Sequence, residues 1–240
     1  LSSSYIIDHL KTELAQQMKR TTEPELMDNA LQAKAYAEAD FESAHSALIN
    51  QFTELFPDLE VTGELLDLGC GPGDISFRFA KLFGQANITG IDGAQAMLEL
   101  ARMRAESESL THRIEFKETI IPSSTIPKKP YKLIVSNSLL HHLHNPDVLW
   151  NTVLQHSNPE TVLFIADLCR PQNGEKARQI VAEFAANESN LLREDFYNSL
   201  LAAFRPDEIK GQLTKAGLEH LSITQTGHHL FIYGKRAKPF

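Results

Sequence analysis

Within ten residues, Leu65-Leu66-Asp67-Leu68-Gly69-Cys70-Gly71-Pro72-Gly73-Asp74 joins three alternating glycines to two carboxylates. Glycines at such a turn let backbone N–H groups approach a ligand closely. The spacing is G-x-G-x-G. A dinucleotide fingerprint has its third glycine where this chain has Asp74, and a P-loop ends in Lys followed by Ser or Thr, which is absent here. Pyrophosphate would sit badly beside Asp67 and Asp74, whereas an amino group or a sulfonium would not. Asp92, in Thr89-Gly90-Ile91-Asp92-Gly93, follows the central glycine by 21 residues. A carboxylate at that point can accept hydrogen bonds from two ribose hydroxyls. Together these residues predict a pocket for a nucleoside without phosphates.

Other residues carry chemistry less distinctively. His141, His142, His144 and His156 form a histidine-rich stretch. His-His-x-His on a loop is not a zinc pattern, and Cys70 and Cys169 are far away in sequence, so no metal centre is expected. A neutral imidazole of His141 or His142 at the substrate end could accept a proton; packing is the competing reading. Cys70 reads as a small structural side chain within the loop, Asp74 as the cap of the following helix, and His228 and His229 as surface residues of a hairpin.

The surrounding pattern positions these groups. Strand-like runs at 64–69, 87–92, 113–119, 132–140 and 161–168 alternate with helix-like runs at 73–83, 94–107 and 147–157. Such alternation means βαβ units and a mainly parallel sheet, with ligands in the crevice at the carboxyl ends of the strands. After Leu168 the alternation stops. Three helices are predicted at 173–188, 190–204 and 206–216, then a hairpin of 220–226 and 229–235 about Gly227. The expected fold is α/β, Rossmann-like and doubly wound, with seven strands and a C-terminal antiparallel hairpin. Helical periodicity also marks 5–18 and 30–56, with a break at 21–29 around Pro24. Residues 1–57 are therefore read as an N-terminal helical lid segment and 58–240 as the ligand-binding domain, with a helical insertion at about 170–205. Tyr36 in the lid, and Arg170, Arg193 and Tyr197 in the insertion, are candidate substrate contacts. The insertion reads equally as a solvated face or a homodimer contact.

Composition narrows the class. Of 240 residues, 42% are hydrophobic and 22% charged, which suits a globular chain with a sizeable core. A net charge of −8 disfavours nucleic-acid partners, which require a basic footprint. Two cysteines cannot form a disulfide framework and point to a reducing, cytoplasmic location. No signal peptide and no run of about 18 apolar residues is visible, so no membrane partner is expected.

LLDLGCGPGD followed by GIDGAQAMLELAR resembles the class I (Rossmann-like) S-adenosylmethionine-dependent methyltransferases, and VSNSLLHHL (135–143) is similar to their small-molecule, quinone-methylase (UbiE-like) type. The resemblance covers about residues 60–170 and 218–236. It implies S-adenosylmethionine as cofactor, S-adenosylhomocysteine as product and a small-molecule acceptor with an O, N, S or C nucleophile. It further implies Asp67, Gly69, Cys70, Gly71 and Gly73 around the methionine part, and Asp92 on the ribose. Gly93 and Met97 would flank the adenine, Glu118 and Thr119 would lie near its amino group, and Asn137 and Ser138 near the sulfonium. Where the acceptor must lose a proton before attack, His141 or His142 is the first candidate for the catalytic base, with Tyr197 behind them. Thr119 stands where the family often has Asp, and Asn158-Pro159-Glu160 where it often has Pro-Gly-Gly. The same pocket would also suit a non-methylating reaction of the cofactor or a non-catalytic binding module. The chain lacks the Asn/Asp-Pro-Pro-aromatic segment of amino-directed base methylases.

Overall fold

A computed structural model describes residues 18–26, 33, 36, 39 and 41–236. The helix expected over residues 5–18 lies outside these, apart from Met18. Within the 30–56 run, the helix α1 is Glu42–Leu55. The order then runs β1 (Gly63–Leu68), α2 (Asp74–Leu82), β2 (Ala86–Asp92), α3 (Gln95–Ser107), β3 (Ile114–Glu118) and β4 (Leu133–Asn137). It continues with α4 (Asp147–His156), β5 (Val162–Leu168), α5 (Gly174–Phe184), α6 (Asn190–Ala202), α7 (Pro206–Ala216), β6 (Ser222–Thr226) and β7 (His229–Lys235). Among the described residues, no helix is long and apolar enough to cross a membrane.

The seven strands form one sheet in the order β3-β2-β1-β4-β5-β7-β6. β1 to β5 are mutually parallel, and β7 pairs antiparallel with both β5 and β6. The order reverses direction between β1 and β4, so a crevice opens there beyond the carboxyl ends of the strands. Central strands are apolar on both faces because helices cover both. Leu65, Leu133, Val135 and Phe164 face α1 and α2, where Phe52 lies edge-on to Phe79 and Phe164 at 4.9 and 5.1 Å. Their chain neighbours Leu66, Ile134, Leu163 and Ile165 face the other layer, with Trp150 of α4 and Leu213 of α7. α5 and α6 close a smaller cluster around Ala177, Val181 and Leu200. The turn Asn158-Pro159-Glu160 closes on itself. Asn158 N donates to Thr161 Oγ1 at 2.9 Å, and Glu160 N to Asn158 Oδ1 at 2.9 Å.

Two local expectations change. Gly73, not Asp74, occupies the cap position of α2, with φ +86°. A Cβ on Gly73 would meet Phe116 Cζ at 2.7 Å and Phe77 Cε2 at 3.0 Å. Gly73 therefore performs the close helix–strand packing that a dinucleotide fold assigns to its third glycine, one position earlier. It does not line the cavity, although its neighbours Pro72 and Asp74 do. Gly73→Ala adds both a left-handed Cβ and an overpacked contact. It should lower the unfolding free energy by about 2 kcal/mol or more in urea titrations.

Candidate active site

The carboxyl ends of β1, β2, β4 and β5 open into a cavity of about 1270 Å³. Its first wall is the glycine loop. Gly69 N and Cys70 N both donate to Ile91 O, at 2.9 and 3.0 Å, which pins the loop to the end of β2. Gly71 N donates to Asp92 Oδ2 at 2.8 Å, and Ala94 N donates to Asp92 Oδ1 at 2.8 Å. The Asp92 carboxylate is thus aimed by amides from two turns, the one after β1 and the one after β2. Asp67 lies beneath the loop, 1% exposed, and accepts from Ser76 Oγ at 2.6 Å. Burial pushes its carboxyl up to about 7. Among the described residues no cation lies against it. Cys70 is buried, and burial lifts its thiol well above the ordinary value.

Asp74 is an anchor rather than a cap. His45 Nδ1, Arg78 Nε and Arg104 Nη1 lie 2.7, 2.6 and 2.9 Å from its carboxylate. Burial alone would raise that carboxyl, but these bonds outweigh it and hold it well below the usual range. Gly93 and Met97 line the next stretch with Thr119. A Cβ on Gly93 would strike Leu26 at 2.6 Å and Ile120 at 3.1 Å. Thr119 Oγ1 donates to Glu118 O at 2.6 Å. Glu118 itself is exposed and lies outside the lining, contrary to expectation. Tyr36 lines the cavity, packs with Ala33, Ala94 and Met97, and is pushed up to about 12 by burial.

The opposite wall follows β4. Asn137 and Ser138 line it, and Ser138 takes φ +56°, an uncommon conformation for a residue with a Cβ. That turn carries the chain back so that His141 reaches Asp167 at the end of β5. His141 is 2% exposed; its Nδ1 lies 2.5 Å from Asp167 Oδ1, and its backbone N donates to Asp167 Oδ2 at 3.1 Å. Its Nε2 faces Glu23 Oε1 at 3.4 Å. Burial by itself disfavours the imidazolium, but the Asp167 charge and hydrogen bond outweigh it and raise His141. Asp167 is correspondingly lowered by His141 against the effect of its burial. His142 behaves oppositely, since burial and the neighbouring His141 push it down to about 3.

Glu23, His141 and His142 bring ligand-type atoms within 4.8 Å of one another. Hydrogen bonds already knit them: Ser199 Oγ donates to Glu23 at 3.1 Å, and His142 Nδ1 meets Pro24 O at 3.3 Å. His144 turns instead to Glu23 O, and His156 packs near Tyr131. Residues 18–25 form a strap across this end. Met18 N donates to Gln172 O, Thr21 N to Leu201 O, and the Arg20 guanidinium to the carbonyls of Ala202, His141 and Leu143.

Three predicted substrate contacts fall elsewhere. Arg170 is 4% exposed and spends its guanidinium on Met18 O, Ala203 O and Glu208. Tyr197 packs inside the α5–α6 cluster, with Arg178 over its ring. Neither Tyr197, Arg170 nor Arg193 lines the cavity. His228 and His229, expected on the surface, line it instead. Asp167 could have been found as a carboxylate ending the fifth strand. Glu23 sits in an irregular segment that offers no periodic signal.

The methyltransferase-domain family matches residues 59–217. The chain belongs to that family. It is 27% identical over 131 residues to the malonyl-[acyl-carrier protein] O-methyltransferase of Bacillus cereus, covering 55% of this chain and 46% of that one. It is 30% identical over 164 residues to the trans-aconitate 2-methyltransferase of Yersinia pseudotuberculosis, covering 62% and 60%. The chain thus spans about half the length of the curated relatives it matches. The same fold occurs in the plantazolicin methyltransferase BpumL, solved with a desmethylPZN analog and SAH (TM-score 0.64, 18% identity, 86% of this chain and 91% of that one). It occurs again in a SAM-dependent methyltransferase from Aquifex aeolicus (TM-score 0.64, 14% identity, 87% and 99%).

Within this methyltransferase domain both thiols are buried. Cys169 is pushed up to about 11 by burial, as Cys70 is pushed upward. Iodoacetamide at pH 8 should therefore alkylate the native chain at least about a hundredfold more slowly than the urea-unfolded chain. Rapid labelling of Cys70 would contradict its structural placement.

Proposed function

We propose that the chain transfers a methyl group from S-adenosylmethionine to a small-molecule acceptor, leaving S-adenosylhomocysteine. The observation that carries this reading is the pair of acidic anchors at one crevice. Asp92 is aimed by the amides of Gly71 and Ala94, and the buried Asp67 has a raised carboxyl with no cation beside it among the described residues. The donor set fits the cofactor. Asp92 would accept from the ribose hydroxyls, Asp67 would face the ammonium end, and Gly93 and Met97 would flank the adenine. Asn137 and Ser138 would lie by the sulfonium, with Gly69, Cys70 and Gly71 along the methionine chain. Thr119 stands nearest the adenine amino group in this arrangement. When bound, the cofactor supplies an electrophilic methyl group.

The protein's part is positioning, exclusion of water and management of one proton. His141 is the general base of this reading. Asp167 fixes its Nδ1–H tautomer, leaves Nε2 as the acceptor and stabilises the imidazolium once the proton arrives. Glu23 adds a second negative charge on the Nε2 side. His142, held neutral, is a wall and hydrogen-bonding group of the same pocket. Residues 1–57 act as the lid segment over the domain of residues 58–240, a role supported by Tyr36 in the cavity and by the strap.

Asp92→Ala removes charge-assisted ribose bonds. Its affinity for S-adenosylhomocysteine should fall about ten- to a hundredfold in titration calorimetry. Undiminished binding would refute the pocket assignment.

His141 accepts a proton only when neutral, and its Asp167 partner raises its pKa. The acid limb of kcat/KM should therefore lie above the ordinary imidazole value of about 6.5, with activity rising through it as pH increases. Asp167→Asn should move that limb to lower pH and reduce kcat about a hundredfold or more, with S-adenosylhomocysteine affinity kept. A limb unmoved by Asp167→Asn would reject the His141 assignment.

A further inference from the structure

The cavity beyond His141 is walled by rings. Phe184, at the end of α5, is 59% exposed, and its centroid lies 4.4 Å from that of His228. Phe196 of α6 lies 5.8 Å from His228, His228 lies 4.1 Å from His229, and His229 lies 6.5 Å from Phe231. All five line the same cavity, with Leu168 and Leu192 between them. Burial holds both imidazoles on the neutral side, His228 down to about 4. These rings tilt against one another, at 58° for Phe184 on the half-buried His228 and 63° for Phe196 on it, and together they make a continuous aromatic wall of the cavity.

Carboxylates, Asp195 among them, line the cavity along the α5–α6 segment that carries Phe184 and Phe196. Glu183 and Glu188 line it too, and Glu23 lies beyond His141. Among the described residues that line the cavity, the Lys and Arg side chains are Arg78 and Arg104, and both are bound to Asp74 beside His45 on the glycine-loop wall. Recognition of a carboxylate or phosphate calls for a guanidinium or ammonium partner, and burying an anion without one is costly. A neutral aromatic ring meets no such penalty and gains offset or edge contacts with the rings already there.

We propose that the methyl acceptor is an uncharged planar aromatic carrying a hydroxyl or thiol, packed against the wall of Phe184, Phe196, His228 and His229. This inference rests on the methyl-transfer reading. In the reaction, a lone pair of the acceptor O or S forms the new bond to the methyl carbon. The old carbon–sulfur bond breaks with its electron pair retained by the departing sulfur, which becomes a neutral thioether. The hydroxyl or thiol proton passes to His141 Nε2. Among the described lining residues, this wall offers a di- or tricarboxylate no Lys or Arg partner.

The test is calorimetry on the full chain saturated with S-adenosylhomocysteine, using a matched pair of probes: a naphthol, and the hydroxynaphthoate with the same ring skeleton plus one carboxylate. The naphthol should bind, and the carboxylate probe should bind at least about tenfold more weakly. Phe184→Ala and Phe196→Ala should each weaken the naphthol about fivefold or more, with S-adenosylhomocysteine affinity unchanged. Phe184 is exposed, so its replacement spares the core. Equal or tighter binding of the carboxylate probe, no binding of the naphthol, or indifference to both Phe variants would overturn the aromatic assignment and leave the methyl-transfer reading standing. Failure of the native chain to bind S-adenosylhomocysteine would overturn both.

Discussion

Two amide hydrogen bonds to one carboxylate organise the working end of this molecule. Gly71 N comes from the loop after β1, Ala94 N from the turn after β2, and both end on Asp92. The sheet beneath is apolar on both faces, so polar groups gather where the parallel strands stop. Without the Asp92 tie, the glycine loop would be held to β2 by its bonds to Ile91 O and lose its fixed distance from the adjoining turn. Every other feature of the cavity is measured from that edge. Asp67 lies under the loop, Met97 follows the Asp92 turn, and the His141–Asp167 pair faces them across the crevice.

Much of this was legible because it is local. Alternating apolar runs and helical stripes located five parallel strands and their helices, since each pattern reflects its own strand or helix burying one or two faces. Gly69, Gly71 and Asp92 were singled out by type and spacing, and all three line the cavity, because a turn at the end of a strand is a local feature. What the sequence hid depends on distant pairing. His228 and His229 were expected on a hairpin surface. β7 runs antiparallel to β5, however, so its beginning lies beside the end of β5: His229 pairs with Leu168, and Cys169 N donates to His228 O at 2.8 Å. That register places two histidines in the cavity, and no local pattern announces it.

The misplaced arginine and tyrosine teach the same lesson from the other side. Arg170, Arg193 and Tyr197 carry functional-group types common in substrate sites. Arg170 instead satisfies backbone carbonyls of two segments and pairs with Glu208, because a buried guanidinium must spend its donors on whatever acceptors surround it. Asp74 shows this for a carboxylate. Its position suggested a cap, but the nearby His45, Arg78 and Arg104 made it the hub that binds α1, α2 and α3 together. Side-chain type told what each group needs; the fold decided where it was met.

The strap of residues 18–25 ties two jobs to one short segment. The same few residues hold the Ala202, His141 and Leu143 carbonyls through Arg20 and set Glu23 against the His141 ring. Raising the strap would expose those carbonyls and withdraw the negative charge from Nε2 in a single motion. The strap's seat on those carbonyls and the negative charge beside the imidazole are therefore coupled, and neither can be lost without disturbing the other.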